Sequence, residues 1–237
     1  NTVRTTGTFT GKGAVDYTAG DASITITQAN NLSGATTGKV TATIADDSLA
    51  DLIGGSGINA DTGNDGGDIN AFTVTLTDTS VSAADLATLD ARTSGTINLN
   101  DVTTLTGTLT ELKAFIVAED NFGNKSGIST ISVSAENIDG AGGRGSVAEL
   151  VTFHTDIRDS VGDGFNANAV INLTNVALLS GGVSDLLSAI ALTDITGISG
   201  TDIAITATDA SISIANANSL SGATDGVVTA TITESTT

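Results

Sequence analysis

Short runs in which Val, Ile or Leu alternates with Thr, Ser or Asn recur along the chain, as in Phe72-Thr-Val-Thr-Leu-Thr, Val170-Ile-Asn-Leu-Thr-Asn and Ile203-Ala-Ile-Thr-Ala-Thr. A period of two is what a half-buried β-strand requires, because successive side chains point to opposite faces. Threonine suits the wet face, since its β-branched side chain favours extended backbone. Equivalent inward positions fall at Tyr17, Val40, Val74, Ile97, Val133, Ile171, Ile205 and Val228, with spacings of 23, 34, 23, 36, 38, 34 and 23 residues. A short arm thus alternates with a long one, and the third short arm is stretched.

After most strands come a polar turn and a short helical phrase: Asp47-Ser-Leu-Ala-Asp-Leu-Ile53, Ala83-Ala-Asp-Leu-Ala-Thr-Leu89, Thr108-Leu-Thr-Glu-Leu-Lys-Ala-Phe115 and Val183-Ser-Asp-Leu-Leu-Ser-Ala-Ile190. Ser48, Ser82, Thr108 and Ser184 are the predicted N-caps, most with an acid about three residues on. Arms of this length exceed a hairpin loop and match crossovers between parallel neighbours. Glycines such as Gly34, Gly38, Gly95, Gly107, Gly197 and Gly222 mark the corners, and the absence of Pro fits an uninterrupted ladder.

The chain is also internally duplicated. Asp21–Ser48 and residues 209–236 share 18 of 28 residues at an offset of 188, and a fainter copy begins 57 residues after the first, at Asp78. The expectation is a mainly-β fold: a parallel β-solenoid with short helical turns, its eight strands stacked in one sheet. Tandem immunoglobulin-like sandwiches are the alternative, suggested by Ala118-Glu-Asp-Asn-Phe-Gly-Asn-Lys-Ser126. They need about 90–100 residues per module, which a 57-residue unit does not supply. Residues 1–237 read as one repeat array with units near 14–57, 71–128, 130–200 and 202–237. An insertion at 141–165 is expected to project outward, opened flexibly by Gly140–Gly145 and containing an amphipathic helix at Ser146–Phe153.

Charge then narrows the function. Eight Lys+Arg against 27 Asp+Glu give a net charge of −19, which would repel nucleic acid. With no Cys and one His, disulfide scaffolds, zinc fingers, thiol enzymes and haem proteins drop out. No apolar run approaches the ~18 residues of a membrane span. The chain opens Asn-Thr-Val-Arg, so a segment of something longer is expected. His154, in Phe153-His-Thr-Asp156, is expected on the surface. There is no Gly-x-Ser-x-Gly elbow, and Gly140–Gly145 lacks the Lys and Ser/Thr of a phosphate loop. No catalytic residue is assigned.

Calcium is the candidate ligand, because hard cations take several oxygens on a tightly folding backbone. Asn59, Asp61, Asn64, Asp65 and Asp68 crowd one Gly-rich stretch, and Asp156, Asp159 and Asp163, with Asn166 and Asn168, form a second cluster. The bland alternative is a pair of solvated acidic loops. Gly54-Gly-Ser-Gly-Ile-Asn59 resembles one nonapeptide of the RTX calcium β-roll, with Asn59 where that motif has Asp and without tandem recurrence.

Val81-Ser-Ala-Ala-Asp-Leu-Ala-Thr-Leu-Asp-Ala-Arg-Thr-Ser-Gly-Thr-Ile-Asn-Leu99, with Leu105-Thr-Gly-Thr108, resembles repeats of very large secreted or cell-surface proteins of marine cyanobacteria and other Gram-negative bacteria. The resemblance implies an exported, structural or adhesive protein and carries over no catalytic residue. The expected function is a non-catalytic structural repeat module of an extracellular or cell-surface assembly, such as a filament, surface layer or giant fibre. Its partners would be copies of itself stacked head to tail, or the continuation of a longer chain. The alternative is a calcium-stiffened adhesin stalk or binding module gripping a surface glycan or another surface protein. A polysaccharide-cleaving enzyme would need a basic residue and carboxylates in one groove, which the scattered Lys and Arg do not suggest.

Overall fold

The computed structural model describes residues 2–3, 13–59, 69–117, 121–159 and 165–233. The chain forms two compact units, residues 1–102 with 118–127 and residues 103–117 with 128–237.

In the first unit the order is β1 (Thr2–Val3), β2 (Tyr17–Ala19), α1 (Ile26–Ser33), β3 (Val40–Thr43), α2 (Leu49–Ile53), β4 (Ala71–Thr75), β5 (Ser80–Ser82), α3 (Ala83–Asp90) and β6 (Ile97–Asn98). The second unit begins with β7 (Thr104–Gly107) and α4 (Leu109–Val117), after which β8 (Phe122–Gly123) returns to the first. The chain then continues in the second unit through β9 (Thr130–Val133), β10 (Asn137–Ile138), α5 (Val147–Asp159), β11 (Val170–Asn172), β12 (Leu178–Gly181), α6 (Val183–Ala191), β13 (Ile195–Thr196), β14 (Ala204–Ala207), α7 (Ile214–Ser221) and β15 (Val228–Thr229).

One sheet of the first unit runs β1-β2-β3-β4-β6-β8. In the second unit β7, β9, β11 and β13 lie side by side, and β10-β12-β14-β15 form a separate sheet. Each of these pairings is parallel, so the long arms are crossovers, as their length requires.

The balance of elements overturns the expected mainly-β solenoid, and with it the sandwich alternative. About 31% of the chain is helix and about 25% strand, an α/β fold whose parallel sheets are flanked by seven helices among the described residues. The connections hold helices of up to 13 residues rather than one or two turns. The eight inward positions also divide among sheets instead of sharing one. Tyr17, Val40, Val74 and Ile97 occupy the first unit's sheet, Val133 and Ile171 lie in β9 and β11, and Ile205 and Val228 lie in β14 and β15.

Two of the helices, α1 and α7, escaped the pattern because Asn, Ser and Thr lower helix propensity in Ile26-Thr-Gln-Ala-Asn-Asn-Leu-Ser33 and Ile214-Ala-Asn-Ala-Asn-Ser-Leu-Ser221. Their caps offset that weakness. The Thr25 hydroxyl accepts the Gln28 amide while the Gln28 side chain accepts the Thr25 amide, and Ser213 accepts the Asn216 amide. Of the predicted N-caps, Ser48 and Ser82 cap α2 and α3, and the Thr108 hydroxyl accepts the Glu111 amide. Ser184 does not cap. Gly182 occupies that position, and the Ser184 carbonyl inside α6 accepts the Ser188 hydroxyl.

The three 23-residue arms are direct register neighbours: Tyr17 opposite Val40, Val74 opposite Ile97, and Ile205 opposite Val228. Each carries the same clasp, formed by Thr36-Thr-Gly38, Thr93-Ser-Gly95 and Thr224-Asp-Gly226. The Thr hydroxyl donates to a carbonyl 21 residues back: Val15 at 2.6 Å, Phe72 at 2.8 Å and Ile203 at 2.6 Å. It also accepts the amide of the following Gly, at 2.9, 3.0 and 2.9 Å. Glycine is required there by close approach, since a Cβ at Gly38, Gly95 or Gly226 would lie 2.5, 2.4 or 2.3 Å from that earlier backbone.

Helices receive a second tie from the following segment. The first amide of α2 donates to Asp78 at 2.6 Å, that of α4 to Glu136 at 2.7 Å, and that of α6 to Asp209 at 2.6 Å. A carboxylate 26 to 29 residues ahead therefore satisfies an amide that has no intrahelical partner.

The helix expected at Ser146–Phe153 is α5, which extends to Asp159. It does not project: Val147, Leu150, Phe153 and Ile157 are fully buried within the second unit. At roughly 1.5–3 kcal/mol per buried side chain, that face anchors the helix firmly. Nor does Gly140–Gly145 open it loosely, because Arg144 pairs with both carboxylate oxygens of Asp139 at 3.0 and 2.8 Å and the Gly140 amide donates to the Gly145 carbonyl.

Candidate functional site

The described residues place only part of the two calcium candidates. Asp61, Asn64, Asp65, Asp68 and Asp163 lie outside them. Asn59 ends a turn in which the glycines have a structural task. The Gly57 carbonyl accepts the Asn30 side-chain amide at 2.8 Å, the Asn59 amide donates to Asn30 Oδ1 at 3.0 Å, and the Ile58 carbonyl accepts Arg92 at 2.7 Å. Ile58 is thereby buried, and a Cβ at Gly57 would lie 2.3 Å from the Leu52 carbonyl oxygen. In the second cluster Asp156 is half-buried and Asp159 exposed on α5, while Asn166 closes a local turn by accepting the Asn168 amide at 2.9 Å. Among the described residues no group of three or more His, Asp or Glu is arranged to hold a metal ion.

His154 is not the exposed surface residue the sequence suggests. One turn of α5 puts His154 and Arg158 on the same face, and both reach Asp194, which lies between α6 and β13. His154 Nε2 is 3.2 Å from Asp194 Oδ2, which Arg158 also contacts, and Thr193 donates to the other carboxylate oxygen at 3.0 Å. Arg158 also donates to the Ala169 carbonyl at 3.2 Å. The Arg158 guanidinium, then the Thr193 hydroxyl and His154, hold the Asp194 carboxyl down at a pKa of about 2. The hydroxyl faces the carboxylate rather than the imidazole, so the arrangement is an ionic lock and lacks the nucleophile–base contact of a hydrolase. A second tie joins α4 to α5, where Lys113 pairs with Glu149 at 2.8 Å. Sequence reasoning missed both locks, although His154 and Arg158 do stand at helical i, i+4 spacing.

The feature that most distinguishes one place from its equivalents is a cleft that occurs twice, once in each copy of the duplication. Beside the start of α1 it is lined by Thr25, Ile26, Ile44 and Ala45 and walled by Asp47, Asp51 and Ser56, with a volume of about 310 Å³. Beside the start of α7 its counterpart is lined by Ser211, Ile212, Ser213, Ile214 and Thr233, and widens to about 530 Å³. Burial changes in step. Ile44 is 1% exposed, whereas Ile232 at the equivalent position is 47% exposed. Val40 is buried but Val228 only half so, and Lys39 is replaced by Val227, which is 72% exposed. In the first copy the covering element is β4: Thr41 and Ala42 pair with Ala71 and Phe72, the Ile44 amide donates to the Thr73 carbonyl at 2.8 Å, and Asn70 accepts the Val40 amide at 2.6 Å. In the second copy β15 is the edge of its sheet among the described residues. No protein-family model, no curated protein and no solved structure matches the chain.

Proposed function

We propose that this chain is a non-catalytic structural repeat module of an extracellular assembly, such as a filament, a surface layer or a giant surface fibre. The observation that carries the reading is the recurrence of one piece of tie chemistry, the Thr-x-Gly clasp at Thr36, Thr93 and Thr224. In each case a coil is fixed to the strand 23 residues before it. The carboxylates of Asp78, Glu136 and Asp209 act in the same sense, holding the start of an earlier helix. A net charge of −19 keeps such an array soluble, and a Cys-free chain offers no thiol to oxidise outside the cell. Electron microscopy of the native material tests the proposal. Ordered polymers or arrays are the expected result, and dispersed globular particles would overturn it.

A further inference from the structure

We infer that the second unit takes its compensating positive charge from the medium, so that its folded state is stabilised by a diffuse atmosphere of mobile cations. The inference goes beyond the structural-module reading, because it concerns the stability of the folded chain whatever that chain builds.

The second unit carries 13 Asp+Glu against 3 Lys+Arg, a net charge of −10. Its three cationic side chains are committed one to one: Lys113 to Glu149, Arg144 to Asp139 and Arg158 to Asp194. His154 brings no relief elsewhere, since it shares Asp194 with Arg158. Asp163 and Glu234 lie outside the described residues, so eight described carboxylates of this unit stand in no ion pair.

Three of the eight have a structural task that requires their charge. Glu136 and Asp209 accept the first amides of α4 and α6, and Glu111 accepts the Thr108 amide at 2.8 Å. A carboxylate suits a helix start, where the backbone dipole is positive. Others are placed where charge is unfavourable. Asp156 and Asp159 occupy the last turn of α5, at the negative end of its dipole. Asp202 and Asp225 are neighbours on adjacent coils: the Asp225 amide donates to the Thr201 carbonyl at 3.0 Å, and a Cβ at Gly226 would lie 2.6 Å from the Asp202 carbonyl oxygen. Like charges on neighbouring parallel segments repel.

Self-repulsion of this kind loosens a compact state, and mobile ions relieve it by screening. The uncompensated acids sit on separate elements, at the end of α5, in the first turn of α6 and ahead of β14 and β15. Charge spread in this way is relieved by ionic strength and counterion valence, with little regard to which ion supplies it.

The test is thermal melting of the chain from about 10 mM to about 1 M salt, over which the screening length falls from about 30 Å to about 3 Å. NaCl, KCl and choline chloride are run in parallel, and CaCl2 separately, with amide exchange in α5 and β11 assigning the response to the second unit. The comparison variant combines Asp156→Asn, Asp159→Asn and Asp202→Asn, three side chains outside every ion pair. Circular dichroism verifies its fold, and Asp202→Asn alone, on an exposed position, serves should the triple variant not fold. The expected parent response is a melting temperature that rises with salt by about 5 °C or more. The three monovalent salts should act alike, and CaCl2 should reach the same value at a several-fold lower, millimolar concentration. The triple variant should melt higher at low salt and show about half the rise, since the unit's repulsion scales with the square of its charge. A melting temperature that is flat or falls with salt overturns the inference, as does a rise that the folded variants reproduce in full. Stabilisation of the second unit by micromolar calcium at fixed ionic strength also overturns it, because that response belongs to a discrete site. Each failure leaves the structural-module reading standing, since that reading is judged on the native material by microscopy.

Discussion

Asp21–Ala45 and Asp209–Thr233 build the same coil from nearly the same residues, and they end in different surroundings. Both open with a hydroxyl cap, Thr25 or Ser213, and both close with a glycine whose amide returns to Asn30 or Asn218. Both join their ends through a parallel bridge, Ile24 with Ile44 and Ile212 with Ile232. Yet Ala29 and Ile44 are buried in the first, while Ala217 is half-buried and Ile232 open in the second. Local sequence thus specifies the coil, and the neighbouring strand supplies the burial. The largest contrast should appear on truncation. Ile44→Ala is expected to cost about 2–5 kcal/mol, the range for a buried aliphatic side chain, and Ile232→Ala less than about 1 kcal/mol. Urea midpoints check this, with Tyr17, buried in the first unit and the chain's single Tyr, as a fluorescent reporter there and hydrogen exchange as the reporter at β15. Equal losses at the two sites would show that the twins do not differ in burial.

The clasps extend the comparison to three places. Thr93 is 1% exposed and accepts the Phe72 amide at 2.7 Å while donating to the Phe72 carbonyl. Thr93→Val would leave a buried amide and carbonyl without partners, at a cost of about 3 kcal/mol. Thr36 is partly open to water, and Thr36→Val should cost about 1 kcal/mol. Thr224, 8% exposed in the second copy, should fall between them. Thermal melts of the three variants rank them, and a Thr36 variant as damaged as the Thr93 variant would contradict the burial argument. The helix ties are weaker. Asp78→Ala removes the acceptor for the first amide of α2, and Asp209→Ala does the same for α6, each at about 1 kcal/mol. Faster amide exchange confined to the first turn of the affected helix would identify the effect.

These ties also explain what the sequence could convey. The 23-residue arms were legible because the clasp fixes their length, so Tyr17–Val40, Val74–Ile97 and Ile205–Val228 face one another as the alternation suggests. The long arms misled. Val40 and Val74 share an alternation but not a register, since Thr41 pairs with Ala71. Strands as short as β10 and β13, two residues each, carry too little alternation to register. The helical content was underestimated because α1 and α7 depend on a cap and on neighbouring packing, neither of which appears as hydrophobic periodicity. The Gly-rich stretch opening at Gly54 suggested cation chemistry, yet its described part is shaped by Ile58 entering the core. The cleft beside α7 could not be read from the coil's own alternation, because its width depends on the neighbouring strand rather than on the coil.

The smallest effect expected is a dependence on pH in the arm that has no twin. There α5 is fastened by Asp194, whose carboxyl is held at about 2 chiefly by Arg158. An unfolded Asp titrates near 3.9, so between roughly pH 2 and 4 the unfolded chain binds more protons at this site than the folded one. The stabilisation is therefore complete above about pH 4 and lost as the pH falls through that window. Asp194 is 35% exposed, so solvent screens the pair and the contribution is at most about 1 kcal/mol. Asp194→Asn should accordingly lower stability near neutrality, and the gap between variant and parent should close as the solution is acidified from pH 6 towards pH 3. Added salt should narrow it as well. Helices α1 and α7 have no acid in their first turn, so exchange of their capped amides should not follow the Asp194 substitution. A variant–parent gap that stays constant across this pH range would mean that Asp194 holds α5 by shape alone.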